Sequence, residues 1–441
     1  MRFYTADEVG LVKGVDIDAK VPFLEAQAAA AKKLRLEAKS KAAKEITGKA
    51  SATVAADQET EDSTILAGVE IWAHSGIVSR DKSIQQMTTA TTTEGETFVV
   101  GRKNGAIEAI TKTEGRPIYE YVDPQFTSTA SIKHNGRLIT ERSFVGIGAT
   151  DEYFISCTNL GEVRYQQFNG NQDPILMKLP VDACRMRTHG KDRNVFAVGG
   201  REQELSIWDI NTMTTGNSAI ATYTKPTNAP LFKSKNVAHD NLGLRVPVWI
   251  TDMQFLSDDT TNPHVAVSTG HKQIRIYDAK VGSQPVHDWN TVSKHPIYHI
   301  LASHVKPELF FADNVGNLQQ LDLRMGRVVG GYKGIAGAVR SIALSEDGAM
   351  VAEAGLDRFV RVYETDGMRR LLHRAYVKQR VTHVHWDWSV KDLTHDEIEQ
   401  QEVDELWDNM DTFHNKASSK SEKKKKRTAT AGVKRKTAAS S

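Results

Sequence analysis

Residues 349–366, AMVAEAGLDRFVRVYETD, read as two alternating apolar runs joined by the turn Gly355-Leu-Asp-Arg358. Period-two alternation makes two strands and the Gly/Asp turn makes them an antiparallel hairpin. The hairpin closes on an aromatic followed by an acid, Tyr363-Glu364. The same pattern recurs at 194–211 (NVFAVGGREQELSIWDIN), 264–281 (HVAVSTGHKQIRIYDAKV) and 308–325 (ELFFADNVGNLQQLDLRM). These copies close on Trp208-Asp209, Tyr277-Asp278 and Leu321-Asp322. From Tyr277 the closures follow at 44 and 42 residues, the period of a four-stranded propeller blade. The earlier interval, from Trp208 to Tyr277, is 69 residues because an insertion occupies 217–246.

Further hairpins lie upstream. Residues 96–116 turn at Asn104-Gly105, a strong hairpin signal, 153–169 turn at Asn159 to Gly161, and 1–18 hold strands around 2–6 and 11–17. Hairpins beginning near 1, 96, 153, 194, 264, 308 and 349 make seven. The first lacks an inner strand, and the alternating run Val381–Trp388 has no hairpin of its own. Pairing the two would close a ring and remove its exposed edges. The expectation is an all-β protein: a seven-bladed β-propeller over 1–388, closed by the C-terminal strand. Regular spacing over this length argues against a sandwich followed by a second β domain.

Three segments break the repeat. An arm at 21–64 is rich in Ala and Lys over 21–49 and acidic over 57–62. The second is the 217–246 insertion, and the third is a disordered or helical tail. Residues 389–411 of the tail are acidic and apolar, a docking segment with Leu406 and Trp407 as its motif. Residues 412–441 hold ten basic residues and one acid, and are expected to be disordered. Lys423, Lys424, Lys425, Lys426, Arg427, Lys434, Arg435 and Lys436 form two clusters of the kind that carry proteins into the nucleus.

Composition narrows the function. A net charge of +2 excludes a uniformly basic nucleic-acid binder but leaves local basic patches open. Two cysteines, Cys157 and Cys184, exclude a disulfide scaffold and a CxxC site. No apolar run approaches 18 residues and no signal peptide is present, so an intracellular protein without a membrane span is expected. No P-loop, H-E-x-x-H or G-x-S-x-G motif occurs, and no acid, base and metal-ligand set converges. Neither an enzyme nor a cofactor is expected. Gly330 to Gly334 reads as a turn between blades, and His383-x-His385 lacks a third ligand. Asp357 reads as the turn acid of its blade.

Basic residues recur near the starts of the inner strands: Arg185, Arg187, Arg245, Lys333 and Arg340, with Lys235 and Asn236 in the insertion. Together they predict one basic face for RNA phosphates or an acidic partner. No aromatics interleave with them in sequence, so base-stacking readout of single-stranded RNA is not expected.

Five stretches, 235–256, 199–211, 184–187, 321–342 and 355–363, resemble the nucleolar WD-repeat factors that assemble the large ribosomal subunit. Val9–Val15 and Asp404–Asp408 fit as well. The 236–249 insertion is the most specific element, and the arm at 21–49 departs from the family. The resemblance implies a non-enzymatic scaffold in the nucleus and nucleolus. Its implied partners are pre-ribosomal large-subunit particles, nucleolar assembly factors and ribosomal RNA, with release by a AAA-type ATPase and a monomer within the particle. The competing reading is a WD-repeat substrate receptor of a cullin-RING ubiquitin ligase. It rests on Leu321-Asp322-Leu323-Arg324, which has the Asp and Arg of the ligase motif but Leu in place of its usual Trp. An enzyme built on a propeller is the third class.

Overall fold

The computed structural model of the chain describes residues 1–18, 69–127, 132–134, 136–170, 173–212, 223, 225–226, 229–239, 241–290 and 292–390. Most of the 21–64 arm, the Leu406–Trp407 motif and both basic clusters lie outside them.

Seven four-stranded antiparallel sheets account for nearly all strands of the described residues. The first strands of neighbouring blades lie side by side and close a ring. From the inside outward, blade 1 is Val381–Trp386, Arg2–Asp7, Val12–Ile17 and Val69–Ser75. The first strands of blades 2 to 7 are Ile84–Thr92, Phe144–Ala149, Ala183–Thr188, Ile250–Phe255, Ile297–Ala302 and Val339–Leu344. An extra small hairpin, Ile132–His134 with Arg137–Ile139, stands between blades 2 and 3.

Ring closure follows the expected route. The C-terminal strand pairs antiparallel with the N-terminal one, Phe3 opposite Trp386 and Thr5 opposite Val384. Trp386 is 2% exposed and its ring meets Phe3 edge-on at 4.6 Å, so aromatic packing reinforces the backbone ladder.

The residues that close the repeats do the packing between blades. Trp208, Tyr277, Leu321 and Tyr363 are all buried, each in a different apolar cluster shared with a neighbouring sheet. Burying one such side chain contributes about 1.5–3 kcal/mol. Second strands such as Val195–Gly200 and Met350–Gly355 are buried along their whole length because sheets cover both their faces. Asp357 takes the turn role expected of it: it accepts from the amides of Ala336 and Phe359 and pairs with Arg361 at 2.5 Å.

Two boundaries differ from the sequence reading. Phe232–Lys233, inside the 217–246 insertion, pairs with Ser206 and Ile207 and is the fourth strand of blade 4. Gly330 and Gly331 lie within the strand Arg327–Tyr332, not in an inter-blade turn. There is no room for a side chain at Gly330, where a Cβ would stand 2.6 Å from the Arg369 guanidinium.

Antiparallel order sorts the loops. Turns between second and third strands gather with the inter-blade links at the end where first strands begin, the entry face. The remaining loops form the exit face.

Candidate functional site

All seven first strands share one irregularity. Their register shifts at the second residue, placing Thr382, Gln85, Val145, Cys184, Thr251, Tyr298 and Arg340 in equivalent β-bulges. A bulge turns its side chain out of the ladder and re-aims the next one. The third residues are then His383, Gln86, Gly146, Arg185, Asp252, His299 and Ser341, and most of them line the axial channel.

Asp252 organises that channel. It is fully buried and accepts from Arg185 Nε at 2.9 Å, Arg187 Nε and Nη2 at 3.1 and 2.9 Å, and the Ile300 amide at 3.1 Å. His299 Nδ1 lies 2.9 Å from the same carboxylate. Burial alone would push the Asp252 carboxyl up, but Arg185, Arg187 and His299 hold it well below the usual carboxylate range. Burial keeps the His299 and His383 imidazoles neutral. Arg185 Nη1 and His383 Nε2 both reach Gln86 Oε1, at 3.4 and 3.2 Å, so side chains of five blades meet across the axis.

Above this plug, on the entry face, opens a cavity of about 790 Å³. Arg80, Lys103, Arg185, Arg340, Arg358 and Arg380 line it, against one acid, Glu8. Glu8 stands 3.6 Å from Arg380, and Lys103 stands 3.7 Å from Glu141. Arg80, Arg340 and Arg358 are exposed and have no carboxylate of a described residue within ion-pair distance. A concave site with convergent guanidiniums suits phosphate oxyanions, which accept the planar fork of arginine bidentately.

The structure redistributes the predicted basic residues. Arg340 sits in the mouth as expected. Arg185 reaches its floor, but as an ion pair with Asp252. Arg187 does not belong to the face: strand alternation carries it down the channel to the same carboxylate. Asn236 serves the insertion itself, donating to the Val246 carbonyl at 2.6 Å. Arg245 pairs with Glu202 at 2.7 Å on the outer part of the face. Lys235 and Lys333 are exposed there too.

Sequence reasoning missed Arg80, Lys103, Arg358 and Arg380, which come from three different blades and an inter-blade link. Their signal was a basic residue at, or one or two positions from, a turn glycine or strand start. That reading also missed the aromatics of this face. Trp249, at the end of the insertion, has Arg201 stacked on its ring at 3.9 Å and lies edge-on to His271 and Tyr298. The indole presses on Gly270, where a Cβ would come within 2.2 Å of it.

Elsewhere, Asp322 closes its own turn, accepting from the Arg324 amide at 2.7 Å, and Arg324 is exposed on the exit face. Among the described residues no group of three or more His, Cys, Asp or Glu is placed to hold a metal ion. No helix of the described residues is long and apolar enough to cross a membrane.

No protein-family model matches the chain. Individual proteins do. WD repeat-containing protein 74 of Homo sapiens is 30% identical over 281 residues, covering 60% of this chain and 68% of that protein. Its Bos taurus counterpart is 31% identical over 55% of this chain and 59% of that protein. Ribosome biogenesis protein nsa1 of Schizosaccharomyces pombe is 28% identical over 74% of this chain and 85% of that protein. Among solved structures, the WD40 β-propeller domain of Doa1 superposes with a TM-score of 0.50 at 12% identity, over 70% of this chain and 88% of that one, a likeness of fold. With the ring, the blade-closing residues and the insertion in place, the human relative's identity and coverage decide the matter: the chain belongs to the WD repeat-containing protein 74 family.

Proposed function

We propose that this chain is a non-enzymatic scaffold in nucleolar assembly of the large ribosomal subunit, attached to pre-ribosomal particles through the basic mouth of the entry face. The observation that carries the reading is the mouth itself. Six cations face one acid there, although the chain as a whole is nearly neutral at +2. Such local excess attracts polyanions and is strongly salt-dependent. Relatives bearing the name ribosome biogenesis protein supply the setting in which the polyanion is precursor ribosomal RNA. In this reading the rigid ring offers a second face to nucleolar assembly factors. The tail adds a linked docking motif at Leu406–Trp407 and carries the chain into the nucleus through its basic clusters, and a AAA-type ATPase removes the chain as the particle matures.

The test is affinity purification of the tagged full chain, with mass spectrometry and RNA sequencing of the eluate. Large-subunit proteins and precursor RNA are expected in the wild-type eluate. Both should fall at least tenfold with Arg340→Glu and Arg358→Glu combined, at unchanged thermal stability. Full particle recovery by that variant would remove the mouth from the interface. Cullin-ligase subunits without ribosomal RNA would overturn the assembly reading.

A further inference from the structure

The mouth accounts for the cations of the entry face but not for its aromatics. Tyr298 is 42% exposed, although it begins an inner strand and its neighbour Ile297 is fully buried. It occupies the bulge of blade 6, as Arg340 occupies that of adjoining blade 7, so the ring borders the guanidinium half of the mouth. Behind it, Trp249 is fixed by Arg201 and by contact with Gly270, and it meets both His271 and Tyr298 edge-on, at 6.0 and 6.2 Å. His271 and Lys272 are exposed at the turn of blade 5.

We propose that Tyr298 and His271, braced by Trp249, form a stacking platform for an unpaired base of single-stranded RNA whose phosphates lie on the mouth arginines. The inference rests on the reading of the mouth as a phosphate surface and assigns the kind of RNA it takes. Every base has a π-face, so an exposed aromatic ring beside a cationic groove binds single strands with little sequence preference. In a duplex the bases are stacked on one another and such a ring finds no partner. An acidic peptide would use the arginines alone and leave Tyr298 idle, which is why the exposed ring favours RNA. The expectation from sequence that no stacking site exists is therefore replaced: the aromatics are far from the arginines along the chain and join them only through the shared bulge position.

Fluorescence anisotropy of the full chain tests this with four probes: a ten-nucleotide oligoadenylate, a base-free ribose-phosphate chain of equal length, a ten-base-pair RNA duplex and polyglutamate. Oligoadenylate should bind tightest. Tyr298→Ala should weaken it about 5- to 100-fold, the range for loss of one stacked base, without changing the base-free chain. Tyr298→Phe should bind like wild type. Arg340→Glu with Arg358→Glu should weaken both single strands and reduce the salt dependence. Undiminished oligoadenylate binding by Tyr298→Ala, or equal wild-type affinity for the base-free chain, would overturn the platform while leaving the phosphate mouth standing. Tighter binding of polyglutamate than of either strand would overturn it in favour of a protein partner. Failure of the ribosome-assembly reading shows up separately, as loss of precursor particles from the purification.

Discussion

Replacing Asp252 with Asn removes the one carboxylate that balances the channel and keeps the side-chain shape. The wild-type carboxylate is 0% exposed and collects two guanidiniums, one imidazole and two backbone amides. Asn retains one acceptor oxygen but turns an NH₂ group toward Arg187 or His299, and two buried cations lose their counter-charge. Removing one member of a buried ion pair costs about 3–5 kcal/mol, because the desolvated partner charge is left uncompensated. A loss of about 4 kcal/mol lowers the folded-to-unfolded ratio roughly a thousandfold. Urea titration followed by tryptophan fluorescence and far-UV circular dichroism measures it, and coincident transitions license the free energy. Adding Arg187→Gln should restore part of the loss, since one orphaned cation leaves with it, so the double variant should be more stable than the sum of the singles. A D252N midpoint equivalent to less than 1 kcal/mol from wild type would show that water or rearrangement compensates the arginines and that Asp252 is not the keystone of the axis.

Trp386→Ala should cost about 3–5 kcal/mol by emptying the closing contact with Phe3, read from the same titration. Stability should also fall on acidification. Burial, with the N-terminal amine nearby, draws His373 down to about 4, and burial beside Lys112 draws His385 to about 4. The unfolded imidazoles titrate near 6.5, so between these values the unfolded state binds more protons. The contribution is complete above pH 6.5 and is lost as pH falls toward 4, roughly 2 kcal/mol per histidine by pH 5. His373→Asn should flatten the pH 7 to 5 difference, and an unchanged slope would show that His373 titrates normally in the ring. Deleting Lys423–Lys436 should reduce nuclear accumulation of a fluorescent fusion, and unchanged enrichment would end the import reading.

The 42- and 44-residue spacing, the aromatic or apolar residue closing each hairpin, and the unpaired strand 381–386 were legible because each is a local pattern. A strand's partner preference is written in its own alternation, and a ring needs no more than repetition plus one strand to close it. The outer strand at 232–233 was not legible, since two residues carry no periodicity. Nor was the division of labour among the arginines. Arg185 and Arg187 look like surface charge until Asp252, more than 60 positions away, is brought against them. Arg340 differs from Arg187 only in register, and register at a bulge is decided by the pairing strand, not by the residue itself.

By itself, then, the sequence determined the number of blades, the way the ring closes and the residues that pack between sheets, because hydrophobic alternation and turn chemistry act over a few residues. Only the tertiary structure decided which charges are spent inside the channel and which remain at the mouth. It alone set Tyr298 beside Arg340, because seven bulges from seven distant strands converge on one axis.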